Sequence, residues 1–312
     1  MSLFLRYLPA AEPQAPSDAS ISPASKSVLY VHGATFPSAL SVAHRFDGKS
    51  WRDALCEAGF DVWAFDFYGF GHSDRYPQMA QPPDLHAPLC DAADGEEQLA
   101  AAIRFILGHQ GLHRISLISH SWGAMPAGRL AGKHPELIDR WLLFAPIGWR
   151  KPRRYEAPHA YPGWRIVTLA DQWARFIEDV PQHEPPVLSQ IHFEEWGECY
   201  LDSDEQSRRR DPAGVKTPLG PFADIIKAWH GQLSYDPELV RCPTAIVRGE
   251  WDGLVTDKDA RWLFDALKRS PVKRDIKIAR STHLMHLEAG RFALWQESIT
   301  FLLGGDVAPV PI

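Results

Sequence analysis

The stretch Leu117–Pro126, LISHSWGAMP, ends an apolar β-type run in two hydroxyls, Ser119 and Ser121, and then passes at once into small residues. A strand that turns abruptly into a helix strains the residue at its tip, and that strain is tolerable only between small neighbours. Ser119 and Gly123 supply them, so Ser121 is the residue raised on the turn. The first amides of the following helix have no intrahelical acceptor and suit a developing negative charge, the Trp122 N–H first among them. Pro126 fits a first helical turn, where its missing N–H costs nothing, and Ala124, Ala127 and Gly128 let the helix lie close on a sheet. The expected chemistry is nucleophilic attack by a serine oxygen. A neutral hydroxyl attacks poorly, so a base must take its proton and a third group must hold that base. Candidates for the base include His283 and His286 in STHLMHLE; candidates for the third group are Glu250 and Asp252 in VRGEWDGLV. His120 sits beside the nucleophile but points the other way off the strand end and reads as structural.

The elements that must position these groups follow a strand–helix rhythm. SVLYVHG reads as a strand, WRDALCEAG as a helix, FDVWAFDFYGFG as a strand and glycine loop, and EEQLAAAIRFILGHQG as an amphipathic helix. RISLIS is the next strand, AMPAGRLAGKHPELI a helix and RWLLFAP a strand, and an edge strand is expected over Leu3 to Leu8. From about Gly148 to Val240 the rhythm breaks into a Pro-, Trp- and charge-rich segment with helical patches, LADQWARFIEDV and ADIIKAWHGQL. It resumes with PTAIVRGEWDG, DKDARWLFDALKRS, RDIKIAR and FALWQESITFLL. This alternation predicts an α/β fold with a mostly parallel, doubly wound sheet. Residues 1–147 and 241–312 are expected to form the core. Residues 148–240 are expected to form an inserted helical lid over the carboxyl edge of the sheet, where open α/β sheets bind ligands. Residues 10–25, rich in Pro, Ala and Ser, read as a loop.

Composition narrows the function classes. With 312 residues, 45% hydrophobic residues and 12 Trp, the chain is globular and has aromatic surface to bury. A net charge of -6 gives no footprint for nucleic acid or an anionic membrane, and Arg208 to Arg210 read as a solvated basic face. Cys56, Cys90, Cys199 and Cys242 are too widely spaced for a zinc site or a disulfide framework, which together with the lack of an export signal predicts a cytoplasmic protein. No stretch reaches membrane-spanning length. No phosphate-binding loop or dinucleotide fingerprint is present, so neither a metal nor an organic cofactor is expected. The expected partner is a small molecule of apolar or aromatic character, and oligomeric state is not readable.

The order of motifs resembles that of α/β-hydrolases. His32-Gly33 ends an early strand as in that family, DFYGFGHSD from Asp66 to Asp74 resembles its D-x-x-G-x-G-x-S loop, and SHSWG stands at its nucleophile elbow. The resemblance covers nearly all of the chain outside the first 25 or so residues and the insert. It implies the chain order serine, acid, histidine, which selects Ser121 as nucleophile, Asp252 as orienting acid and His283 as base. It also implies that the Ala34 amide is the second oxyanion donor beside Trp122, that His32 is a loop brace, and that Asp66, Gly69, Gly71 and Ser73 shape a structural turn. Thr35, Phe36, Trp149, Trp229 and His286 are the expected substrate contacts, with Trp164, Trp173 and Trp196 as further members of an aromatic wall in the lid.

The activity so implied is hydrolysis of an ester, amide or related carbonyl compound through an acyl-enzyme. Carbon–carbon bond hydrolases, cofactor-free haloperoxidases and acyltransferases use the same triad, whereas dehalogenases and epoxide hydrolases of similar fold need Asp at position 121. SHSWG also resembles the GGSWG elbow of aminopeptidases that release N-terminal proline, but Ser119 and His120 replace both leading glycines. A rival of another class is a non-catalytic homologue that binds a small molecule in the same pocket.

Overall fold

Val28 and Tyr30 point to one face of a β-sheet and Leu29 and Val31 to the other, and all four are fully buried. A strand buried on both faces needs helices on both sides. In the computed structural model, which describes residues 1–11, 26–152 and 161–304, both sides are covered. The loop expected over 10–25 lies almost wholly outside the described residues.

The seven-stranded sheet runs β1-β3-β2-β4-β5-β8-β9. Its members are β1 (Phe4–Leu8), β2 (Lys26–Val31), β3 (Phe60–Asp66), β4 (Ile115–His120), β5 (Ile138–Phe144), β8 (Thr244–Gly249) and β9 (Lys273–Ile278). Only β1 is antiparallel; it pairs with β3 at the edge, Phe4 opposite Asp66. All other pairings are parallel, so every one of those strands ends at the same edge. Helices α1 (Trp51–Glu57) and α8 (Arg291–Leu302) cover the face of Val28 and Tyr30; α2 (Ala92–Gln110) and α3 (Ala124–Lys133) cover the other, with α7 (Asp257–Ala266). Local chemistry sets several of their ends. Ser50 and Asp53 form a capping box on α1, Thr256 and Asp259 another on α7, and α2 is capped by the Asp91 side chain before it and by Gly111 after it, whose φ of 66° ends the helix.

Two boundaries differ from the sequence expectation. The small-residue helix stops at Lys133 instead of running on to Ile138, because Pro135 cannot continue it, and β5 starts at Ile138. The segment between β5 and β8 is also not purely helical. Besides α4 (Leu169–Ile177), α5 (Gln190–Asp202) and α6 (Gly220–Trp229) it holds an antiparallel pair, β6 (Trp164–Thr168) with β7 (Gly214–Pro218). Each strand is five residues long and its partner is far along the chain, so no local hairpin signal announces either. This segment packs onto the body through a third apolar cluster, in which Phe176, Trp196 and Tyr200 meet Phe36, Leu40 and Leu284. No helix among the described residues is long and apolar enough to cross a membrane.

Candidate active site

Strand β4 is the middle strand of the sheet, and Ser121 follows its last residue directly. The backbone there is forced into the left-handed region, with φ of 55° at Ser121. The small flanks permit it. A side chain at Gly123 would run into the backbone oxygens of His32 and Val31, and the Ser119 hydroxyl accepts a hydrogen bond from the Trp141 indole N–H at 2.8 Å.

Asp252 lies three residues beyond β8 and His283 five beyond β9, so parallel pairing brings both to the edge where Ser121 stands. The two loops are tied together: the Trp251 N–H donates to Ser281 O at 2.9 Å and the Glu250 N–H to Ile278 O at 2.8 Å. A side chain at Gly249 would collide with the Ser281 carbonyl, so this approach requires glycine. The outcome is a continuous chain of hydrogen bonds. His283 Nε2 is 2.8 Å from Ser121 Oγ, and His283 Nδ1 is 3.0 Å from Asp252 Oδ2 and 3.1 Å from Oδ1. A carboxylate can only accept, so Nδ1 carries the proton and Nε2 is left to accept from the serine hydroxyl. Asp252 Oδ1 is itself fixed by the N–H groups of Leu254 and Val255, each at 2.9 Å. All three side chains belong to buried residues, 4–5% exposed.

The competing groups go elsewhere. Glu250 accepts from the Arg280 N–H at 2.9 Å on the exposed surface. His286 is buried with neither ring nitrogen hydrogen-bonded, 4.8 Å from the His120 ring and 5.2 Å from Phe144. Its burial, reinforced by the nearby His283, pushes its pKa down to about 3, so it is neutral. His120 stacks on Phe144 at 4.3 Å and reaches the His283 carbonyl at 3.2 Å, and burial holds it neutral too. His32 braces its loop: Nδ1 donates to Gly33 O at 2.7 Å and Nε2 accepts the Phe67 N–H at 3.0 Å. Asp66 caps the Ser38 N–H at 2.7 Å and the His72 N–H at 3.1 Å.

Ser121 and His283 open into a cavity of about 230 Å³. Ala34, Thr35 and Phe36 line one side; Phe222, Ile225 and Trp229 of α6 and its flank line another. The Ala34 N–H makes no hydrogen bond among the described residues, and Trp122 stands in the first turn of the short 3₁₀ segment Ser121–Gly123, where amides lack intrahelical acceptors.

Of the expected substrate contacts, Thr35, Phe36 and Trp229 therefore line this cavity, whereas Trp149 and His286 do not. Trp149 is turned away by stacking on Trp262, 5.5 Å between rings, and His286 is held beneath the floor by His120. The remaining tryptophans of the expected wall fix the segment in place. Trp164 donates to Gln81 O at 3.2 Å, Trp173 packs 4.8 Å from Phe193, and Trp196 is fully buried with its indole N–H on Leu40 O at 3.0 Å.

Four polar residues at or behind the site were not singled out from sequence. Arg175 and Glu178 of α4 and its end line the cavity. Asp224 of α6 accepts from the Trp122 indole. Glu288 accepts from the Thr282 N–H at 3.0 Å and from the Thr282 hydroxyl, bracing the loop that carries His283. Each acts across a long separation in the chain or on a short loop without periodicity, so no local spacing marks it.

A family model described as alpha/beta hydrolase fold matches residues 26–290. The monoacylglycerol lipase of Paleococcus ferrophilus is similar, with a TM-score of 0.60 at 18% identity over 98% of this chain and 100% of that one. So is the 2-hydroxy-6-oxo-6-phenylhexa-2,4-dienoate hydrolase of Rhodococcus sp. strain RHA1, with a TM-score of 0.59 at 19% identity over 89% of this chain and 90% of that one. A bromoperoxidase of Bacillus anthracis gives 0.61 at 16% identity over 96% and 95%. Likeness at this identity speaks for the fold alone, and with the family match over residues 26–290 and the sheet order above, the chain belongs to the alpha/beta hydrolase fold family.

Proposed function

We propose that the protein is a serine hydrolase that cleaves a small ester or related carbonyl compound through an acyl-enzyme. The observation that carries this reading is the 2.8 Å contact between Ser121 Oγ and His283 Nε2, with Asp252 behind the ring at 3.0 Å. In this reading His283 takes the Ser121 proton as the oxygen attacks the carbonyl carbon. Asp252 holds the ring and stabilises the imidazolium that forms. The N–H groups of Ala34 and Trp122 receive the oxyanion, each worth about 3–4 kcal/mol to the transition state. The tetrahedral intermediate collapses, breaking the bond to the leaving group, which departs with the proton from His283. Water then gives its proton to the same nitrogen, attacks the acyl carbon and frees the acid, returning the proton to Ser121.

The segment 148–240 acts here as a lid, since α4 and α6 supply part of the cavity wall. At about 230 Å³ the cavity falls below the roughly 300 Å³ at which pockets for drug-sized ligands begin, which favours a short acyl group. Its apolar lining by Phe36, Phe222, Ile225 and Trp229 suits the body of such a substrate. The four unpaired cysteines fit a cytoplasmic setting.

The test is labelling by a fluorophosphonate probe together with turnover of a short-chain nitrophenyl ester. Both are expected in the wild type and neither in Ser121→Ala. Labelling without ester turnover would move the reading to carbon–carbon bond hydrolysis or acyl transfer; loss of both would leave a small-molecule binder.

A further inference from the structure

Arg175 brings a guanidinium to the cavity that the acyl-transfer steps do not use. Its Nη1 donates to Thr35 Oγ1 at 2.7 Å and to Gln172 Oε1 at 3.4 Å, and its Cζ lies 5.5 Å from the centre of the Phe36 ring. A guanidinium offers five N–H donors in one plane, so the Nε and second Nη donors of Arg175 have no protein acceptor among the described residues. No carboxylate lies within ion-pair distance of it there. Arg150 and Arg129, by contrast, each meet a carboxylate, Asp259 at 2.8 Å and Glu96 at 2.7 Å. Glu178, one turn along, also lines the cavity and raises the Arg175 pKa through its field, but desolvation outweighs it and lowers the value. Arg165 lines the same cavity and adds positive charge.

A half-buried guanidinium without a paired carboxylate leaves donors open to the cavity, and an incoming anion can take them. The position is informative too. Thr35, which holds Nη1, follows Ala34, so the guanidinium is anchored on the loop that carries a proposed oxyanion donor. We propose that Arg175 is an anion-recognition residue and that the substrate is a carbonyl compound whose acyl part carries a free carboxylate, such as a hemiester of a short dicarboxylic acid. The flat fork of Arg175 matches the two oxygens of a carboxylate, and the Thr35 hydroxyl steadies the fork. The inference rests on the serine-hydrolase reading for its turnover assay only; the binding assay below stands apart from it.

The experiment compares monobenzyl glutarate with its neutral isostere, benzyl glutaramate, by release of benzyl alcohol. The wild type is expected to favour the carboxylate by about tenfold or more in kcat/KM. Arg175→Gln is expected to cut that ratio at least about tenfold, mainly through KM for the hemiester, with Arg175→Lys in between. Equal rates on both esters, or an unchanged ratio in Arg175→Gln, would overturn the proposal, as would preference for a phosphonate-bearing counterpart over the carboxylate. Calorimetric binding of monobenzyl glutarate to Ser121→Ala, with and without Arg175→Gln, separates the two ideas. Binding lost with Arg175 supports the anion site even where Ser121 resists the fluorophosphonate probe. Binding indifferent to Arg175 ends the proposal even where hydrolysis stands.

Discussion

The indole N–H of Trp122, the residue directly after Ser121, donates to Asp224 Oδ2 on α6 at 3.1 Å, and the same oxygen takes the Ala92 N–H at 2.7 Å. One carboxylate oxygen thus joins the serine turn, the start of α2 and a helix of the segment over the cavity. Burial raises the Asp224 pKa, with the two donors acting against that rise. Asp224→Ala leaves two buried donors unpaired and is expected to cost about 2–4 kcal/mol in urea unfolding. Asp224→Asn keeps an acceptor in place and is expected to cost about 1 kcal/mol. Equal losses in both variants would show that the shared oxygen contributes little.

Asp252→Asn is expected to lower kcat by about 10⁴ with little change in stability. An amide turned toward His283 donates to Nδ1, which moves the ring proton to Nε2 and leaves nothing to accept from Ser121 at that 2.8 Å contact. Single-turnover rates with a nitrophenyl ester measure this. Retention of more than a tenth of the rate would remove Asp252 from the proposed role.

Ser121 pays for its position with a left-handed backbone, φ 55°, that glycine adopts freely. Ser121→Gly and Ser121→Ala should both abolish turnover, yet the glycine variant should be the more stable by about 1 kcal/mol. Thermal unfolding of the two variants compares them directly.

Gly123→Ala tests the fit of α3 against the sheet. The added carbon meets the backbone oxygens of His32 and Val31, neither of which can rotate away. Overpacking of this kind costs about 1–3 kcal/mol, and the shift it forces reaches Ser121. Ester turnover should drop at least about 100-fold, and the melting temperature should drop with it.

Glu288 gives a pH dependence of defined sign. It is fully buried, and burial, helped by the negative Asp252, pushes its pKa up to about 7 against the contacts from Thr282 and the nearby His283. The folded chain therefore holds a proton there that the unfolded chain has released by about pH 4.5. Its contribution is complete below that value and is lost as pH rises toward and through 7, a change of about 3 kcal/mol. Glu288→Gln should remove this slope, so the stability difference between wild type and variant should move in favour of the variant between pH 5 and pH 8. Chemical denaturation across that range checks it, and parallel profiles would show that Glu288 does not titrate there.

Much of the site was legible because its logic is local. The hydroxyls and small residues around Ser121 and the alternation of strands with helices lie in short runs whose backbone needs restrict the residue types, whereas the order Ser121, Asp252, His283 is what the resemblance to α/β-hydrolases implies. What failed to show in the sequence acts at a distance. The β6–β7 pair joins Trp164 to Pro218 without a hairpin turn, and the expected tryptophan wall resolves into Trp229 at the cavity and the others in packing roles.

The sequence by itself determined that a serine would sit on a strained turn between a strand and a helix, since only Ser119 and Gly123 make room for it there. Tertiary structure alone put Glu250 on the exposed surface against the Arg280 N–H and kept His286 out of the cavity lining. It also set Arg175 beside Thr35, 140 positions apart in the chain. The reason is physical: backbone strain is set by neighbouring residues and can be read from them, whereas the partner of a charge or a ring is fixed only when parallel strands and packed helices bring distant segments to one edge of the sheet.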